Sequence, residues 1–589
     1  MRPQLKAVMY AALTATGIVA LYDTGARYSD FTIAQAGVNQ LVESEIVFYF
    51  WYALWGSAAA IAGALALMQT AGPERVRGAL QAGLTRPRLT AAVAALVVLA
   101  SAIAFREFAL LSQAVADDEA TYLFEAQTLL QGRIVNPLPK YAAYYTNQFI
   151  VLSDRAWYGQ YPIGHPLVLA LGELLQLGWL IVPLLGACSV WLTYLVGARL
   201  FEPKRAAAAA CLLALSPQFV WTHATLLSQT SSAFFMLLGA WALIRLQDEG
   251  RLGWAGLAGL AWGCMVLVRP MPGALLLGVG LASHAVWQRR ASRERGWGAF
   301  ALQLMAAAPG VALGIAGIAL TNYAESGNPF VAAYKTIYGN YGTLAGVAGN
   351  VSNSFGGALV RQNFWLFGWT LSLAFLPFCR PHRAATLFWG MIAADYAYRL
   401  LVAKTVVGTT GPIYVFEAVP WLALATVDGA LALAQRLGKL GLARSRAWVV
   451  AAALSSSLVA LLTFVPIELR SAYLGSEARS RVFGLLEQAG AKNALIFANH
   501  LVMPDRLISW AYFPPNPSPA FDDPFIFVRQ PPGKGGPRTA YEFWRLQFPA
   551  RRAFLYTDTP RGQLFTELHA DAPPPAAAAL QDLVEQAEH

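Results

Sequence analysis

Long apolar runs recur along this chain at approximately 7–23, 47–69, 90–112, 176–198, 206–223, 226–246, 252–268, 271–288, 299–320, 362–379, 384–403, 412–434 and 447–466. Each is about 17 to 23 residues, the length an α-helix needs to cross a hydrocarbon core of about 30 Å. About thirteen transmembrane helices are therefore expected. Two stretches break the pattern. One is a polar, acidic and aromatic segment between the third and fourth runs, residues 113–175. The other is everything after 466, where no run is long enough to span. In that tail, short apolar segments at 494–498, 525–528 and 553–556 alternate with helical patterns at 476–490 and 538–547. Strands alternating with helices predict a small α/β domain over 467–589. Pro514, Pro515, Pro517 and Pro519 mark a long loop within it, and Pro531-Pro532-Gly533 a second. The first apolar run lacks an A-x-A cleavage site, so it reads as a span.

Within the outer segment, Tyr122, Leu123, Ala126, Leu129 and Leu130 form one apolar face over 118–131. This suits a helix lying in the membrane interface, with Gly132 ending it. Tyr161-Pro162-Ile163-Gly164-His165-Pro166 is a turn that feeds a second surface helix at 167–175.

Composition agrees: 57% of residues are hydrophobic and 13% charged, too apolar for a soluble domain of 589 residues. The net charge of +10 does not indicate nucleic acid. Its basic residues cluster in alternate short loops: Arg75, Arg77, Arg86 and Arg88; Arg199, Lys204 and Arg205; Arg289, Arg290, Arg293 and Arg295; Arg436, Lys439, Arg444 and Arg446. By the positive-inside rule these loops and the N-terminus are cytoplasmic. The segment 113–175, the loop 321–361 and the tail then face outward. The expected location is an integral membrane, of the bacterial inner or plasma membrane type. Cys188, Cys211, Cys264 and Cys379 lie in or beside spans and predict neither a disulfide framework nor a thiolate metal site. His165 and His223 lack ligand spacing and read as hydrogen-bonding histidines, so no metal or other cofactor is expected. No nucleotide-binding loop, zinc-protease motif or 20–50-residue repeat is present.

Asp117, Asp118 and Glu119 follow directly on an apolar run. Adjacent like charges there are costly unless they have a task. One reading is a solvated helix start with Asp117 or Asp118 as N-cap. The other is a catalytic carboxylate at the membrane surface. Asp118-Glu119, then Tyr122, Gly132, Asp154, Tyr158 and the Tyr161–Pro166 turn, resemble the first outer loop of GT-C glycosyltransferases. The likeness is to the branch of protein O-mannosyltransferases and aminoarabinose transferases. Leu267-Val268-Arg269-Pro270 and Gly411-Pro412-Ile413-Tyr414 with Glu417 fit the same pattern. Two features depart from it: two extra spans precede the loop, and Ile413 stands where relatives often carry Arg.

The resemblance implies a GT-C-like domain over 1–466 that transfers sugar from a polyprenyl phosphate to an acceptor hydroxyl on a glycan, lipid or protein. Asp118 is then the candidate base, Glu119 its orienting partner, and Asp117 the same chemistry one residue away. Tyr122, Asp154, Tyr158, Tyr161, His165, Tyr414 and Glu417 are candidate substrate contacts. Arg269, Arg399 and Lys404, with Lys335 and His223, are candidates for the leaving phosphate. Arg269 also reads as an interfacial anchor, and Arg399 as a packing partner of Asp395 four residues earlier. A flippase or transporter would need inverted repeats with polar mid-membrane helices, and no such halves are visible. A non-catalytic envelope-assembly protein is the third reading, separable by the effect of changing Asp118.

Overall fold

The computed structural model describes residues 3–33, 38–72, 74–75, 78, 82–114, 116–147, 149–333, 355–381, 383–401, 411–498, 515–529, 540–559 and 562–569. Seven helices in these residues are long and apolar enough to cross a membrane: 4–25, 45–70, 87–108, 178–200, 270–289, 297–326 and 445–488. A shorter apolar helix, Leu252–Val268, packs against both 270–289 and 297–326. A bent pair, Pro217–Ala224 and Gln229–Glu249, has 114° between its halves and together is long and apolar enough for a broken span or a re-entrant loop.

Three of the expected spans take other forms, and the run at 384–403 holds a 17-residue helix, Ala385–Leu401, before passing outside the described residues. The run at 206–223 is two short helices, Pro203–Ala214 and Pro217–Ala224. Ser216 caps the second by accepting a hydrogen bond from the Phe219 amide at 3.2 Å, and Pro217 supplies a first helical residue that needs no N–H partner. The run at 362–379 holds only the end of the helix Gly357–Trp365, then turns and a 3₁₀ segment, Leu376–Phe378. Gly368 there has φ +68°, and its carbonyl accepts from the buried Tyr52 hydroxyl at 2.8 Å. Apolar composition predicted a crossing helix here; the left-handed Gly368 turn breaks the helix and folds the stretch back on the bundle. The run at 412–434 opens with a 3₁₀ turn, Ile413–Val415, before the helix Val419–Lys439.

Segment 113–175 follows its periodicity. Asp117–Leu130 is helical, ended by Gly132 at φ +72°, and Gly164–Leu174 is the second helix of the segment. Between them lies a short hairpin, Ile150–Leu152 paired antiparallel with Trp157–Gly159.

The tail carries a four-stranded sheet in the order 525–528, 494–498, 552–559, 562–568. The first three strands are mutually parallel and the last closes an antiparallel hairpin. The helix Phe464–Gln488 runs through position 466 and into the tail without interruption. Alternate strand residues face opposite ways, as the pleat requires. Ile496, Phe527 and Phe554 pack on Val482 and Leu486 of that helix. Leu495, Phe497, Ile526 and Leu555 pack instead toward Phe124, Tyr144, Tyr145 and Trp157 of segment 113–175. Tyr144 stacks on Phe543 at 3.9 Å, and the Arg529 amide donates to the Tyr144 carbonyl at 2.9 Å. Segment 113–175 and the tail are thus joined through an aromatic core.

Candidate active site

The acidic motif occupies the first turn of the helix Asp117–Leu130, whose N-cap is Ala116 and not an aspartate. Glu119, at the third helical position, does the capping. One carboxylate oxygen accepts the Ala116 amide at 3.1 Å, satisfying a donor the helix cannot pair. Its other oxygen accepts the Leu226 amide at 2.8 Å. Leu226 lies in the break between Pro217–Ala224 and Gln229–Glu249, where unwound backbone also needs partners. Glu119 is 1% exposed, so these charge-assisted bonds replace its hydration. Glu119 is thereby a clamp between the acidic helix and the broken span.

His165 clamps the same break from the helix Gly164–Leu174. Its Nε2 lies 2.7 Å from the Leu226 carbonyl, which can only accept, so Nε2 carries the proton. Nδ1 then accepts from the Ser231 hydroxyl at 2.9 Å. Both nitrogens are used by a neutral ring, and complete burial holds its pKa down at about 4. Tyr122, one turn after Asp118, packs its ring 4.9 Å from His165 and 4.6 Å from Tyr161, and donates to Ser228 Oγ at 3.0 Å. Burial first, then the Asp118 charge, hold the Tyr122 phenol well above its ordinary pKa.

Asp118 is half-buried, and the Tyr161 hydroxyl donates to its Oδ1. The position of Tyr161 is set by Glu125, seven residues after Asp118 on the same helical face. Glu125 Oε1 accepts the Tyr161 amide at 3.0 Å, and the side chain packs directly over Gly159, where a Cβ would come within 2.1 Å of that oxygen. Burial, then the charge of Glu325, raise the Glu125 carboxyl well above the usual range. Gly164 lies so close to the Leu267–Val268 backbone that a Cβ would meet it at 2.5 Å. This contact docks the Tyr161–Pro166 turn beside Arg269.

Arg269 is buried and donates through Nη1 to Glu417 Oε1 at 2.6 Å, with its guanidinium 5.9 Å from the Tyr414 ring centre. Burial would lower its pKa, but Glu417, then Tyr398, Asp395 and Tyr122, raise it on balance. An arginine this deeply paired is not an interfacial anchor. The Tyr122 phenol feels the charges of both Asp118, which raises its pKa, and Arg269, which lowers it. Asp395 accepts the Ala418 amide at 2.8 Å, next to Glu417.

Asp154 is exposed in the hairpin turn, while Tyr158 is buried with its phenol pKa raised by burial and by Glu325. The side chains of Asp117 and Arg399, and all of Lys335 and Lys404, lie outside the described residues. Among the described residues no three His, Cys, Asp or Glu side chains are grouped to hold a metal ion. Sequence reasoning missed Glu125, although its heptad spacing from Asp118 was visible. It also missed Ser228 and Ser231, which carry no local signal.

Residues 165–312 match the family of dolichyl-phosphate-mannose-protein mannosyltransferases. The fold is similar to that of ArnT from Cupriavidus metallidurans bound to undecaprenyl phosphate, with a TM-score of 0.50, 14% identity, and coverage of 82% of this chain and 98% of that one. Weaker likenesses are to the Archaeoglobus fulgidus oligosaccharyltransferase tethered with an acceptor peptide (0.36, 13% identity, 68% and 61% covered) and to arabinosyltransferase EmbB from Mycobacterium smegmatis (0.37, 16% identity, 75% and 45% covered). No curated protein matches by sequence. The chain is an integral, α-helical membrane protein with the GT-C fold. Within that fold it resembles the protein mannosyltransferase and aminoarabinose transferase branch.

Proposed function

We propose that this protein is a glycosyltransferase that moves a hexose or pentose from a polyprenyl phosphate to an acceptor hydroxyl on the outer face of the membrane. The observation that carries this reading is the setting of Asp118. Its carboxylate sits at the start of an interfacial helix and receives the Tyr161 hydroxyl, while Glu119, Glu125 and His165 hold everything around it. A fixed base beside an apolar phase is what deprotonation of an acceptor hydroxyl requires. In this scheme the acceptor O–H gives its proton to Asp118 and its oxygen bonds to the anomeric carbon. The bond from that carbon to the phosphate oxygen breaks, and the electron pair leaves with the phosphate. Arg269, with Arg399 and Lys404, balances the leaving charge.

A groove of about 590 Å³ supports a lipid-borne donor. Phe105, Phe108, Trp221, Val465 and Leu469 line it, with Arg470 and Tyr473 in its wall. Its wall is shared with the span that leads into the acidic segment, which supports a donor chain seated on the same span as Asp118. The undecaprenyl phosphate bound to ArnT agrees with such a donor. The basic-loop asymmetry, together with the packing of segment 113–175 on the tail, favours an outer location for both. We assign 1–466 as the catalytic membrane domain and 467–589 as an extracytoplasmic α/β domain that walls the acceptor side. Tyr158, Tyr414 and the exposed Asp154 are the assigned substrate contacts, and Tyr122, His165 and Glu417 are positioning residues.

The test joins envelope mass spectrometry, with and without the protein, to transfer by the purified chain. Asp118→Asn should insert and fold normally and lose at least about a hundredfold in transfer, the scale of a lost general base. Full transfer by both Asp118→Asn and Asp117→Asn would refute the mechanism. A reporter fused after residue 470 and active only in the cytoplasm would refute the topology.

A further inference from the structure

A second cavity, of about 720 Å³, lies at the opposite end of the span Pro87–Phe108 from the acidic helix. That span has 22 residues, which separates the cavity from the loop-side end of the helix by about 33 Å. Its lining holds four arginines, Arg86, Arg88, Arg199 and Arg245, and no carboxylate. Arg199 is paired with Asp248, and Arg245 with Glu249. Arg245 also lies over the Trp241 and Trp254 rings at 5.6 and 4.6 Å, and its buried Nε has no hydrogen-bond partner among the described residues. Arg86 and Arg88 form no ion pair among the described residues. They flank Pro87 at the helix N-terminus, where unpaired amides add positive potential.

We propose that this cavity binds the headgroup of an anionic phospholipid. Two uncompensated guanidinium groups and a helix N-terminus call for an anion. The cavity walls select where that anion comes from. They come from three apolar helices, 87–108, 178–200 and 229–249, with Pro203 at the start of a fourth, Pro203–Ala214, and they include Leu89, Leu195 and Ala198. A phosphate held there belongs at the depth where lipid phosphates lie, with acyl chains running down the apolar wall. Trp241 and Tyr194 line the same cavity, in keeping with an interfacial aromatic belt. This site is independent of the proposed transfer reaction and stands if that reading fails.

The experiment is native mass spectrometry of the full chain in detergent, titrated with phosphatidylglycerol or phosphatidylcholine. The wild type should retain phosphatidylglycerol in preference. The double variant Arg86→Gln, Arg88→Gln should bind it about 30-fold more weakly, from about one screened charge contact per arginine. Equal retention of both lipids, or equal affinity in the variant, would overturn the proposal. Displacement of phosphatidylglycerol by millimolar inorganic phosphate would overturn the lipid in favour of a soluble anion. Should the variant fail to fold, a photoactivatable phosphatidylglycerol on the wild type decides. Labelling of peptides spanning 86–89 and 195–199 supports the site; labelling confined to other peptides overturns it.

Discussion

Glu119 and Asp118 are neighbours in one acidic motif, yet their surroundings predict opposite consequences of removing them. Glu119 makes two hydrogen bonds to backbone amides, 3.1 Å to Ala116 and 2.8 Å to Leu226. Bonds to an ionised acceptor contribute about 1.5–3 kcal/mol each, so Glu119→Ala should loosen the break at 225–228 by about 3–6 kcal/mol. Hydrogen–deuterium exchange reads this directly. Protection of peptides covering 116–119 and 225–228 should fall by about a hundred- to ten-thousandfold, unless global unfolding caps the loss. Glu119→Gln keeps an oxygen for one amide but turns an NH2 toward the other, so its exchange should be intermediate. Asp118→Asn should leave exchange near the wild-type rate while transfer falls by at least about a hundredfold, about 2.7 kcal/mol of barrier. If Glu119→Ala keeps wild-type protection at 225–228 and still abolishes transfer, the clamp is wrong and Glu119 takes part in the chemistry.

Three further outcomes follow from the same geometry. His165 has a pKa held at about 4 in the folded state against an ordinary 6.5. The unfolded chain binds the extra proton between these values, so the contribution is full above about 6.5 and is lost as pH falls toward 4, up to roughly 3 kcal/mol; thermal unfolding of wild type and His165→Gln across that window should converge at the acid end, and parallel curves would refute it. Gly164→Ala places a methyl group 2.5 Å from the Leu267–Val268 backbone; transfer should fall and the turn 161–166 should exchange faster, whereas a neutral result would mean the turn is not docked there. Arg269→Ala strands Glu417 as a buried, unpaired carboxylate and should destabilise by about 3–5 kcal/mol, with much of the loss recovered in Arg269→Ala, Glu417→Gln; additive losses in that double-mutant cycle would show that the pair does not act as a unit.

Much of the architecture is carried by local pattern. Membrane helices must satisfy their backbone internally, so a run such as 178–200 declares itself by length and apolarity alone. The same holds for the amphipathic helix 117–130, the Gly132 stop and the core strands 494–498 and 525–528. The candidate base was legible for a similar reason, because charge at the end of an apolar run is rare and conspicuous. Hydropathy cannot distinguish an apolar stretch that crosses from one that folds back, since both avoid water. The turns after Trp365 and the bend before Gln229 therefore emerged only in three dimensions. So did the division of labour within the acidic motif. Asp118 and Glu119 are chemically alike and adjacent, and what separates them is contact with residues about 40 and 110 positions away. Tyr161 reaches one carboxylate and the Leu226 amide reaches the other. Those partners are set by how the helices pack, which no local window of sequence contains.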